Sequence, residues 1–79
     1  MHIGILGTGV VGQTLGRRLA QLGHPVMLGT RDPSQLDEPK GRGPDARTLR
    51  DWLALTGAAG SVGTFRDAAA YGALVVNAL

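Results

Sequence analysis

One short segment, Gly7-Thr8-Gly9-Val10-Val11-Gly12, constrains this chain more than any other, because of what stands on either side of it. Residues 2–6 (His-Ile-Gly-Ile-Leu) read as a short buried strand that runs into these glycines. From Val10 to Leu22, the apolar positions Val11, Leu15, Leu19 and Leu22 fall four, four and three apart, which predicts one helix face. Gly23 then supplies a C-terminal stop, and Pro25 prevents continuation. Val26-Met27-Leu28 is a second apolar run, short enough for a strand and closed by Gly29. A G-x-G-x-x-G turn that follows a buried strand and opens a helix has the form of a dinucleotide-binding fingerprint.

Each glycine then has a separate task. Gly7 permits the tight strand-to-helix turn, and Gly9 lets backbone come close to a pyrophosphate. Gly12 has no side chain to hold the helix off the strand, and Gly16 extends that contact by a turn. Thr8 lies inside the turn, and the N–H groups around Val10 and Val11 are unpaired first-turn donors. The positive end of the helix dipole lies there too, which favours an anion.

The rest of the chain keeps alternating. Residues 32–45 read as loop, since residues 33–44 hold three of the four prolines. A helix is expected from about Ala46 to Leu55, with Asp45 as N-cap and Leu49, Trp52 and Leu53 on one face. Residues 61–65 read as a third strand, residues 66–71 as a short helix ended by Gly72, and residues 73–79 as a fourth strand. The order β-α-β-α-β-α-β specifies an α/β fold with a parallel sheet, because parallel strands need crossover connections. The expected class is the first part of a Rossmann-type doubly wound sheet. Seventy-nine residues at 8.2 kDa make one domain, residues 1–79, and the abrupt ending suggests the front portion of a longer protein.

Composition narrows the function. There is no cysteine, hence no disulfide framework, thiolate metal site or thiol nucleophile. Three aromatics (Trp52, Phe65, Tyr71) make a base-stacking platform improbable, and a net charge of +2 with scattered bases lacks the stripe that nucleic acid requires. Apolar runs fall far short of the roughly 18 residues a membrane span needs, and no secretory pattern opens the chain. A soluble, cytoplasmic protein is expected, without nucleic-acid or membrane partners and without a metal.

The tip of the second strand bears on which dinucleotide is bound. An NAD-preferring site carries a carboxylate there, about 20 residues beyond the glycines. Here the tip reads Gly29-Thr30-Arg31-Asp32. Thr30 can donate to a phosphate oxygen, and Arg31 offers a permanently charged fork suited to an adenosine 2′-phosphate. Asp32 stands one residue further on, where it either faces the ribose or caps the turn at Pro33. The tip has the composition of an NADP site.

Residues 3–12 together with residues 23–33 resemble the N-terminal domain of NADPH-dependent reductases of the 8-hydroxy-5-deazaflavin coenzyme, coenzyme F-420. The resemblance continues through residues 63–72 and 74–78, with residues 34–59 the least characteristic part. It implies that NADP (NADPH) lies over the glycine turn, with its 2′-phosphate at Thr30 and Arg31. It also implies that Asn77 and Ala78 border the ribose or nicotinamide. Family members pass hydride between nicotinamide and deazaflavin, so the protein chiefly orients two small molecules, cofactor and hydride acceptor. Gln35 stands where relatives carry a further base, and Lys40 and Arg42 are the nearest substitutes.

Other residues invite a role and are read as structural. His2 and His24 lie at the end of the sheet remote from the glycine turn, whereas ligands of open α/β sheets bind beyond the carboxyl ends of the strands. Trp52 reads as core, Asp67 as a first-turn carboxylate and Tyr71 as core or surface. No catalytic residue is assigned. The leading function is the NADP(H)-binding domain of an oxidoreductase. A non-catalytic NADP-binding module and the front end of an imine or β-hydroxyacid reductase are the alternatives, and a homodimer is left open.

Overall fold

Along β1 (Ile3–Leu6) isoleucine alternates with glycine, and that alternation gives the sheet two unlike faces. In the computed structural model, which describes residues 1–37, 39–40 and 47–79, β1 leads through the glycine turn into α1 (Val10–Gln21) and then β2 (Val26–Thr30). Two residue pairs follow, β3 (Pro39–Lys40) and β4 (Arg47–Thr48), which pair antiparallel. Next come α2 (Leu49–Thr56), a 3-10 turn at Gly57–Ala59, β5 (Gly60–Thr64), α3 (Phe65–Tyr71) and β6 (Leu74–Asn77). The main sheet has the order β5-β2-β1-β6 and is parallel throughout, with Ile5 opposite Leu28 on one side and Val76 on the other. This is the Rossmann-like α/β arrangement expected from the alternation.

The side chains of Ile3, Ile5, Val26 and Leu28 project from one face and are sealed by Leu49 and Trp52 of α2, with Leu15 and Leu19 of α1 packed alongside. This is the core. The opposite face has glycines at two positions where it meets α3. A Cβ on Gly4 would collide with the Ala68 carbonyl, and one on Gly29 would lie 3.1 Å from the Phe65 Cα. The missing side chains let α3 lie almost directly on the strands. Some of the chain's thirteen glycines therefore serve helix–sheet approach rather than the glycine turn.

Four expectations need correction. The Val11-Leu15-Leu19-Leu22 stripe faces inward only in its middle: Leu15 and Leu19 pack against the core, whereas Val11 is 70% and Leu22 57% exposed, and the buried residues of α1 are Gly12, Gln13 and Gly16. The reason is distance, since a Cβ on Gly16 would already lie 3.0 Å from Trp52 Cζ2. Helix α2 starts three residues later than about Ala46, with Thr48 as its cap; its hydroxyl accepts from the Asp51 N–H at 3.1 Å. The expected cap Asp45 lies outside the described residues. Residues 39–40 and 47–48 form a short ladder where loop and helix were expected. Finally, Phe65 opens α3 rather than closing β5, because Thr64 and Asp67 form a reciprocal capping box at that point.

Candidate functional site

A cleft of about 330 Å³ opens at the carboxyl ends of the strands, lined by Gly7 and Thr8, Thr30 to Asp32, Gln35, Phe65 and Leu79. Sheet topology puts it there. Three strand tips (β1, β2 and β5) and the segment after β6 converge on one end of the sheet, with α1 and α2 on one face and α3 on the other.

The glycine turn forms one wall. Gly7 has φ +128°, a region that L side chains rarely adopt, and its N–H donates to the Gly29 carbonyl of β2 at 3.1 Å. A Cβ on Gly12 would sit 2.7 Å from the Gly7 carbonyl oxygen, so helix and turn touch backbone to backbone. Gly9 is different, with nothing within 4 Å of the place its Cβ would take. It is the N-cap of α1, with no side-chain cap and no acidic residue in the first turn. Both other α-helices have a threonine cap and a first-turn aspartate: Thr48 with Asp51, and Thr64 with Asp67. The start of α1 is thus the one α-helix start, among the described residues, whose donors and positive dipole end are met by no protein oxygen from a capping side chain.

The opposite wall is the tip of β2. Thr30 is 5% exposed, so its side chain is largely covered, whereas Arg31 is exposed. Among the described residues, Arg31 has no ion-pair partner. Asp32 turns into its own loop, its Oδ1 accepting from the Ser34 N–H at 3.0 Å and from the Ser34 hydroxyl at 2.6 Å. Of the two readings of Asp32, the turn-capping one matches this geometry. Gln35 lines the cleft at the position where a further base was sought.

The other expected site residues are placed as follows. Ala78 packs behind the glycine turn: its N–H donates to the Leu6 carbonyl at 2.8 Å, and its methyl would lie 3.7 Å from a Cβ on Gly12. Asn77 is exposed, and its Oδ1 accepts from the Leu79 N–H at 3.1 Å. Val10 faces a second cleft of about 260 Å³ between α1 and α2, shared with Thr14, Arg17, Arg47, Trp52 and Leu55, and Val11 points to solvent. Lys40 belongs to β3, and Arg42 lies outside the described residues. Sequence reasoning missed Phe65 and Leu79 in the lining and Gln13 behind it. The signal for Phe65 was available, as a lone aromatic at the end of a strand on the ligand side of the sheet. His2 stacks on Tyr71 with ring centroids 4.7 Å apart, beside the amino ends of β1 and β6 and away from the cleft.

Parallel strand order, a glycine turn into an open helix start and an arginine on the neighbouring strand tip, unpaired among the described residues, mark an α/β unit of the Rossmann type. The chain belongs to the family of coenzyme F420-dependent NADP oxidoreductases, which it matches over residues 2–76. It is similar to the crystal structure of a provisionally assigned F420-dependent NADP reductase from Arthrobacter sp. FB24, with 42% identity and a TM-score of 0.77. The match covers 98% of this chain and 32% of that one, so the chain spans about a third of the length of that protein. A comparison with curated proteins returns no match. Among the described residues, no helix is long and apolar enough to cross a membrane.

Proposed function

We propose that the chain binds NADP(H) in this cleft, as the cofactor-binding part of an oxidoreductase that passes hydride between NADP(H) and a deazaflavin. The observation that carries the reading is the pairing of two features across one cleft. Thr8, next to the uncapped, acid-free helix start at Gly9, lines one side, and Arg31, exposed and without an ion-pair partner among the described residues, lines the other. A pyrophosphate suits the first, where free N–H donors and the dipole act together. A 2′-phosphate suits the second, since a guanidinium fork binds phosphate oxygens in parallel.

Phe65 and Arg31 both line the cleft and bring a ring and a guanidinium, groups suited to an adenine, while Thr8 lines it beside the helix start assigned to the pyrophosphate. Asn77 ends β6 and Ala78 follows it, on the side assigned to the nicotinamide. Bound NADPH supplies the hydride, so what these residues contribute is orientation. The acceptor is assigned by the family alone.

A non-catalytic NADP-binding module is the second reading. It is favoured by the lining, in which the one carboxylate side chain among the described residues, Asp32, accepts from Ser34. The two readings share the cofactor. Calorimetric titration of the chain with NADPH, NADP, NADH and NAD side by side tests it, with tighter binding of the phosphorylated pair expected. Equal affinity for both pairs refutes the assignment of Arg31. Reduction of the deazaflavin by NADPH in the presence of the protein then separates enzyme from module.

A further inference from the structure

We infer that Gln13 is a positioning residue that sets the direction of the Gly9 N–H. The inference rests on the cofactor reading above and adds to it a residue outside the cleft lining. Gln13 lies one turn into α1 and is 4% exposed, a buried amide in a helix whose buried neighbours are glycines. Its side-chain nitrogen donates to two carbonyls, that of Thr8 at 2.9 Å and that of Arg47 at 3.0 Å. An amide has two such protons, and both are used. Exchanging the amide's oxygen and nitrogen would set oxygen against two carbonyl oxygens, so the partners dictate the orientation. The remaining atom, Oε1, is buried and meets no donor among the described residues.

The consequence follows from peptide geometry. The Thr8 carbonyl and the Gly9 N–H belong to one planar trans unit, in which they point in opposite directions. Holding the carbonyl inward against Gln13 turns the N–H outward. Among the described residues, the Gly9 N–H finds no backbone acceptor, and the space beside its Cα is open. Gln13 is itself braced at a second point, because its own carbonyl accepts from the Trp52 indole N–H at 2.9 Å. Arg47 directly precedes Thr48, the cap of α2. The glycine turn is therefore held from behind by the segment that follows β2, through one side chain. An apolar side chain of the same length would remove the orphaned acceptor but release both carbonyls.

Gln13→Met, nearly equal in length and lacking both donors, tests this in the full chain. Folded Gln13→Met is expected to lose at least about tenfold in affinity for NADPH and NADH alike, the effect of one misdirected hydrogen bond to a charged group. The ratio between the two cofactors stays unchanged, since the pyrophosphate is common to both. The Gly9 amide resonance of the free variant is expected to move, which a merely stabilising role far from the turn would not cause. Wild-type affinity in the folded variant, a loss confined to NADPH, or an unmoved Gly9 resonance overturns the inference. Should the variant not fold, the wild-type chain still decides. Both Gln13 side-chain amide protons are expected to be protected from exchange, and freely exchanging ones overturn the inference. A wild-type chain that binds neither cofactor refutes the cofactor reading alone, because the Gly9 resonance and the Gln13 protons still report whether Gln13 sets that amide.

Discussion

The indole N–H of Trp52 in α2 donates to the main-chain carbonyl of Gln13 in α1 at 2.9 Å, a bond between residues 39 apart in sequence. The bond explains why a large aromatic with a polar edge sits in the middle of a small core. Trp52 is 1% exposed, its ring covers Ile5 and Leu28 through the gap left by Gly16, and its one donor is satisfied. Trp52→Phe keeps a ring but leaves a smaller side chain and removes the donor, so a loss of about 1–3 kcal/mol is expected. Denaturant unfolding of the two proteins measures it. A change near zero would mean that the indole N–H is dispensable.

Arg31 is expected to discriminate between cofactors. Arg31→Ala should weaken NADP binding by about 1.5–3 kcal/mol, the range for a hydrogen bond to a charged group, with NAD binding almost unchanged. Because Arg31 is exposed and unpaired among the described residues, the melting temperature should stay near that of the wild type. Equal losses for both cofactors would assign Arg31 to the fold instead.

Gly9 and Gly12 should respond oppositely to the same methyl group. At Gly9 the backbone is extended (φ −74°, ψ −173°) and the space is open, so Gly9→Ala should leave the apo melt alone and weaken dinucleotide binding. At Gly12 the methyl meets the Gly7 carbonyl oxygen, and the fold should lose about 1–3 kcal/mol, as for other overpacked contacts. Thermal melts and titrations of both variants decide the matter. Identical behaviour would show that the two positions are not separate in function.

Asp37 and Arg50 join the loop after β2 to α2 through a 2.6 Å contact between exposed side chains. The hydrogen bond from Arg50 holds the Asp37 carboxyl below its ordinary value, and the same bond raises Arg50. A depressed carboxyl contributes stability that is complete above the unfolded value, about 3.9, and disappears as pH falls through the lower folded value. Asp37→Asn should therefore differ slightly from the wild type near neutral pH and converge with it in acid. Salt should shrink the neutral-pH difference, because both groups are in solvent. Melts at two pH values and two salt concentrations check both trends, and a difference that grows in acid would contradict the pairing.

What was legible in the sequence was local. The glycine turn, the strand before it, the stop at Gly23 and the alternation of elements follow from steric rules and periodicity acting over a few residues. The parallel class follows from the same alternation, since crossover helices leave no other sheet. Periodicity was half right on α1: it found Leu15 and Leu19, but it counts apolar side chains, whereas the helix's tightest contacts are made where side chains are absent, at Gly12 and Gly16. It also had no means of placing Gln13, whose burial depends on carbonyls at Thr8 and Arg47, the second of them 34 residues away. The cleft was half legible. Gly7, Thr8, Thr30 and Arg31 lie close to strand tips that the pattern marks, while Phe65 and Leu79 join them only once β5 pairs with β2 and β6 with β1. Short-range sterics and hydrophobic spacing are written residue by residue. Which strand tips meet, and which donor finds which carbonyl, is settled only when the sheet order brings distant segments within bonding distance.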